Sequence, residues 1–170
     1  MSLHIIVDGY NFINASAGLA AVVSRDLEAA RSALVAELAR YRSARRHHVS
    51  VVFDGRRAIG LPPGASRRSR VDGVSVVFSR RGEEADDVIR EMARRSGMKA
   101  VVVTADTELA DSCRRWGAAV VAPEEFEELM LAAEDEAAPE SPEQPRATKK
   151  GQARRPPRRE RRQRLRKKKL

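Results

Sequence analysis

"LHIIVDG" (residues 3–9) is apolar on both faces of an extended chain and stops at an aspartate. A strand with one wet face alternates apolar and polar residues. A strand covered on both faces is apolar throughout, as parallel strands are. The same texture returns in "VSVVFD" (49–54), "VSVVFS" (74–79), "AVVVTAD" (100–106) and "AAVVAP" (118–123). Helical patterns separate most of these runs. In "SRDLEAARSALVAELARYRSARR" (24–46), Leu27, Ala30, Leu34, Leu38 and Tyr41 share one helix face, with Ser24 placed as N-cap. "GEEADDVIREMARRSG" (82–97) does the same with Ala85, Val88, Ile89, Met92 and Ala93. "DTELADSCRRWG" (106–117) and "PEEFEELMLAAEDEA" (123–137) complete the set. Strands alternating with helices predict an α/β fold around a mainly parallel sheet of about five strands.

Charge divides the chain. Of its 33 basic and 24 acidic residues, fourteen basic and one acidic residue lie in 146–170, so that segment carries +13 and the preceding 145 residues carry −4. The composition predicts one folded domain over 1–137 and a disordered, strongly basic tail over 138–170. Such a tail suits a polyanion: its Arg158, Arg159, Arg161 and Arg162 are candidate nucleic-acid contacts. Residues 55–73 read as a long basic loop carrying Arg56, Arg57, Arg67, Arg68 and Arg70, a second candidate grip on a phosphate backbone. One cysteine, Cys113, excludes a disulfide framework within the chain, and no apolar run reaches the roughly 20 residues of a membrane span. The apolar run at the N-terminus is broken by Asp8 and no basic region precedes it, so a cytoplasmic protein is expected.

Three of the strand runs end in aspartate: Asp8, Asp54 and Asp106. Parallel strands all end on one edge of the sheet, where ligands of open α/β folds bind. The helix of 82–97 follows a strand, so its N-terminus faces that edge too, and it opens with Glu83, Glu84, Asp86 and Asp87. With Ala85, Val88, Ile89 and Met92 facing the core, Asp86 falls on the flank beside the sheet, Asp87 and Glu83 lie further round, and Glu84 faces water. Like charges so close repel each other. A cluster of carboxylates without adjacent His or Cys is a hard-oxygen set suited to Mg²⁺ or Mn²⁺. His47 and His48 read as the cationic end of a helix, Cys113 and Trp116 as packing residues, and Asp26 and Asp72 as surface.

"IIVDGYNFI", "VVFDG", "EEADDVI" and "VVVTADTELA", in that order, closely resemble the YacP-like group of NYN domains, within the PIN-like nucleases. The resemblance covers residues 3–135, and "DGYN" is its most specific part. It implies a three-layer PIN-like fold and a metal-dependent endoribonuclease that leaves a 5′-phosphate and a 3′-hydroxyl. It implies RNA as partner, with mRNA on the ribosome as the setting. Carried over, Asp8, Asp86 and Asp106 would be the metal ligands, Asn11 a polar group of the pocket, and Asp54 and Asp87 supporting acids. Glu83, Glu108 and Asp111 are secondary candidates. "EADDVI" and "TADTEL" also resemble the metal motifs of structure-specific 5′-nucleases, which act on DNA, but no residues here provide their helix–hairpin–helix element. A non-catalytic RNA- or ribosome-binding module is the alternative of another class; it would have no need of the acids that this chain retains.

Overall fold

The computed structural model of the chain describes residues 2–23, 26–57 and 67–137. The tail of 138–170 with its arginines, the loop residues 58–66, the Arg57 side chain and the proposed cap Ser24 lie outside the described residues.

Five strands fall where the apolar runs predict: β1 (His4–Asp8), β2 (His48–Phe53), β4 (Val74–Phe78), β5 (Ala100–Val103) and β6 (Ala119–Val121). All five pair in parallel. The sixth, β3 (Arg68–Val71), lies inside the segment expected to be loop. It pairs antiparallel with β4 and gives the sheet the order β3-β4-β2-β1-β5-β6. The hairpin turn is Asp72-Gly73, both with positive φ (47° and 83°), the backbone that a two-residue turn with the strands' own twist requires. Asp72 is therefore a turn former. β3 is exposed throughout, which is why no apolar pattern marks it.

Alternate residues of the strands face opposite sides. Ile5, Val7, Val51, Phe53, Val76 and Val103 point into one core, against α1 (Gly9–Ala15), α2 (Ala17–Val23), α3 (Leu27–Arg45) and α6 (Pro123–Ala137). Ile6, Val52, Val77 and Val102 point into the other, against α4 (Ala85–Ser96) and α5 (Thr107–Arg114). The result is the three-layer α/β/α arrangement expected of a PIN-like fold. The short α1 and α2 were not anticipated, because "DGYN" and the small residues after it carry no clear helical period. α3 starts later than expected: Asp26, read as a surface residue, is its N-cap and accepts from the backbone N–H of Glu28 (2.8 Å) and Ala29 (3.1 Å). At the far end of the sheet His4 shares hydrogen bonds with Ser50 Oγ (2.9 Å) and Ser96 Oγ (2.8 Å), tying β1, β2 and α4 together.

Close packing at the end of β1 is set by Gly9. A Cβ there would collide with the ring of Phe53, which is 1% exposed and stacked between Tyr10 and Phe78 (5.2 and 5.6 Å between centroids). Admitting a Cβ requires the ring to shift against these neighbours. Gly9→Ala is therefore expected to lower unfolding stability by about 1–3 kcal/mol. Chemical denaturation checks this; an unchanged midpoint would show that the ring gives way.

Candidate metal and phosphate site

The sheet runs outward from β1 in both directions. After β1 the chain passes through α1–α3 to β2 on one side, and after β5 it passes through α5 to β6 on the other. The helices leave on opposite faces, so the gap between the ends of β1 and β5 is the topological switch point, the crevice where open α/β folds bind ligands.

Asp8 ends β1 at this point and N-caps α1, accepting from Asn11 N (3.4 Å). Asp106 stands three residues past β5 and N-caps α5, accepting from Leu109 N (2.8 Å). Thr104, 3% exposed, ties them together: its Oγ1 donates to Asp8 Oδ2 (3.3 Å) and accepts from Asp106 N (3.1 Å). Asn11 adds a second clamp, its Oδ1 accepting from Ala105 N (2.8 Å). Asp86, second residue of α4, approaches from the third side.

The electrostatics show that these carboxylates share one region. Burial pushes the Asp8 carboxyl up to about 6, with the charges of Asp86 and Asp106 adding to it and the bonds from Asn11 N and Thr104 opposing it. Asp86 is also raised, first by burial, with Arg90 opposing and Asp106, Glu84 and Asp87 adding. Asp8, Asp86 and Asp106 thus feel one another's charge, and Asn11 binds Asp8 through its backbone N–H.

The other candidates lie around them. Asp54 sits on the flank, in an ion pair with Arg56 (3.4 Å), which also reaches Glu84 (3.4 Å). Asp87 is 57% exposed; it pairs with Arg90 (3.1 Å) and accepts from Glu84 N (3.5 Å), so it serves the helix start. Glu83 accepts from Arg80 N (2.9 Å), closing the turn before α4. Glu84 is 64% exposed, facing water as the helical geometry requires. Glu108 is 91% exposed, at 4.0 Å from Arg90, and Asp111 is held by Arg114 at 2.8 Å.

Among the arginines, Arg67 is committed to the fold, donating to Ser79 O (2.5 Å). Arg68 and Arg70 register against Val77 and Ser75 of β4 and so lie on the α4 face of the sheet, the face of Asp86. Two contributors went unread in the sequence. Thr104 had a signal, a hydroxyl ending an apolar run two residues before Asp106. Arg90 had one as well, its i+4 and i+3 spacing from Asp86 and Asp87 on the predicted helix (3.8 and 3.1 Å); only its approach to Glu108 depends on the fold.

Among the described residues no three His, Cys, Asp or Glu side chains are gathered closely enough to enclose an ion. The fit to a divalent cation is one of donor chemistry. Three carboxylates from three elements lie near enough to feel one another's charge, without His or Cys, and one of them is buried at an electrostatic cost that a cation would offset.

Fold and site together define a PIN-like domain of nuclease type, with its acids at the switch point of a parallel sheet. The YacP-like NYN domain profile matches residues 5–169, and the chain belongs to that nuclease-type, RNA-related family. The match runs past the motif-bearing residues 3–135 and through the basic tail. Its relatives include YacP of Bacillus subtilis strain 168, 33% identical over 90 residues (53% of this chain, 51% of YacP). A UPF0178 protein of Brucella ovis is 42% identical over 83 residues (49% of this chain, 47% of that one). The matched regions thus span about half the length of these curated relatives. The crystal structure of Rae1 (YacP) from Bacillus subtilis superposes with a TM-score of 0.67 at 27% identity, over 81% of this chain and 78% of that one.

The raised Asp8 has a thermodynamic consequence. Its carboxyl holds a proton more tightly in the fold than in the unfolded chain, where the ordinary value is 3.8. The group therefore favours the fold at low pH, and that contribution is lost as the pH rises from 3.8 through about 6. The difference amounts to about 2–3 kcal/mol. Asp8→Asn keeps an oxygen to cap α1 and removes the buried charge. In chelator at about pH 7.5 it is expected to be more stable than the parent by about 2 kcal/mol, and the gap should close near pH 4. Urea unfolding across this range checks it; parallel pH profiles for the two proteins would show that Asp8 carries no such cost.

Proposed function

We propose that the chain is a metal-dependent endoribonuclease that hydrolyses RNA phosphodiester bonds at the crevice between β1 and β5. The observation that carries this reading is the convergence of Asp8, Asp86 and Asp106 from three separate elements, on a fold whose family is of nuclease type. These three carboxylates would hold Mg²⁺ or Mn²⁺. When bound, such an ion lowers the pKa of a water and offsets charge on the phosphoryl oxygens.

The protein's own groups do the positioning. Thr104 and the backbone N–H of Asn11 orient Asp8, and Leu109 N holds Asp106. Asn11 fixes the loop between Thr104 and Asp106 through Ala105. Arg90 restrains Asp86, at 3.8 Å. Arg56, Arg68 and Arg70 would hold the RNA backbone beside the acids, and the +13 segment of 146–170 would add affinity without base specificity. Asp54 and Asp87 would support from the flank. A strongly basic segment next to such a domain also suits an RNA-rich assembly, and mRNA on the ribosome is the setting proposed.

Cleavage of RNA by the full chain in Mg²⁺ or Mn²⁺ is expected to fall at least about 100-fold in Asp86→Asn and Asp106→Asn, with folding retained, and to stop in chelator. Equal cleavage by parent and variants would remove the site from the mechanism. Removal of residues 139–170 is expected to weaken RNA binding at physiological salt and to flatten its salt dependence. Filter binding at two salt concentrations checks this; an unchanged affinity would leave the tail without this role.

A further inference from the structure

The end of the sheet opposite the acids has a different character. The short 3-10 turn Gly97–Lys99 leads into β5, and residues 115–118 join α5 to β6. The two turns touch: a Cβ on Gly117 would lie 3.1 Å from Met98 Cγ, and one on Gly97 would lie 3.8 Å from Trp116 O. Both glycines have positive φ (52° and 83°), so the turns are tight. Met98 is 85% exposed and Trp116 39% exposed, against the expectation that Trp116 is a packing residue. Cys113 alone meets that expectation, at 0% exposed.

Cations surround this apolar pair. Arg94 and Arg95 close α4 and share the carboxylate of Glu91 (2.9 and 2.6 Å), and Arg114 is held by Asp111 (2.8 Å). Lys99 and Arg115, each next in sequence to one of the exposed apolar residues, have no ion-pair partner among the described residues. Five cations therefore accompany two carboxylates on these two turns and the helix ends before them, and the two uncommitted ones adjoin Met98 and Trp116 in sequence.

An apolar area of two side chains is small for a protein interface, whose energy comes from a larger desolvated centre. An exposed indole on a turn that also carries uncommitted cations suits a ligand with π-faces at intervals along a chain of negative charge. We propose that this end of the sheet is a second RNA contact, on which Trp116 stacks against an unpaired base while Lys99 and Arg115 take the adjoining phosphates. It stands one strand-length, about 13 Å, from the acids. The inference shares with the proposed function the class of ligand, RNA, but does not depend on cleavage.

Trp116 is the one tryptophan of the chain, so its fluorescence reports on this surface directly. The full chain is titrated with a 2′-O-methylated oligouridine, which resists cleavage and whose own binding is followed in parallel by the anisotropy of an end label. Expected is saturable quenching whose midpoint moves to higher strand concentration as salt is added. Lys99→Glu with Arg115→Glu should shift that midpoint about tenfold, with the circular dichroism of the parent retained. Inorganic polyphosphate, which has charge but no bases, should leave the emission unquenched. Three results would overturn the proposal: unchanged emission at saturating strand, equal quenching by polyphosphate, or a double variant that titrates like the parent. Failure of the nuclease reading would appear instead as RNA cleavage unaffected by Asp86→Asn, with the quenching intact.

Discussion

The parallel pairing of β1 with β5 is the contact on which the site depends. Val7 lies in register with Val103, so Asp8, the last residue of β1, and Thr104-Ala105-Asp106, which follow β5, are brought to the same end of the sheet. Thr104 converts this proximity into a defined geometry by bonding to both acidic residues, and Asn11 on α1 ties Asp8 to Ala105. A parallel ladder can place two strand ends side by side without a tight turn between them, because its connections cross over through helices elsewhere. The crevice is therefore open, and the chain that would close a hairpin there is absent from it.

Bringing carboxylates together in a partly buried crevice works against folding, and the molecule moderates the cost in several local ways. Asp8 and Asp106 each cap a helix, where backbone N–H groups and the helix dipole favour negative charge. Arg90 spans Asp86, Asp87 and Glu108, and Arg56 spans Asp54 and Glu84. These arginines offset part of the negative charge around the crevice. Asp8 keeps the largest residual burden, its carboxyl held near 6. Groups tuned this way cluster at functional sites, where a stable resting state is sacrificed for chemistry.

The two ends of the sheet carry opposite charge for a topological reason. Strand C-termini lead into helix N-termini, which favour acids, while the same helices end at the other edge, where cations are favoured. Arg94, Arg95 and Arg114 close α4 and α5 at that far edge. This polarity alone would produce a solvated basic rim. Arg115, the C-cap of α5, belongs to that rim, whereas the exposed indole of Trp116 and Lys99, without an ion-pair partner among the described residues, go beyond what the helix ends require.

The amino-acid sequence by itself determined the layers of the fold and the edge on which the acids collect. Both follow from local rules: doubly covered strands are apolar throughout, and parallel strands end together. Asp8, Asp106 and Asp86 could be placed from strand ends and helical angle alone, and so could Glu84 in water. What only the tertiary structure decided is what each acid touches. Asp87 and Glu83 serve the start of α4, and Asp54 is taken up by Arg56. Arg67 locks the edge strand to Ser79, and β3 exists because β4 offers it a ladder rather than because its own residues are apolar. Thr104 and Trp116 gain their significance from neighbours distant in sequence. Periodicity reports which face of an element is buried; it holds no record of the distance between side chains on different elements, and it is those distances that turn a set of acids into a site.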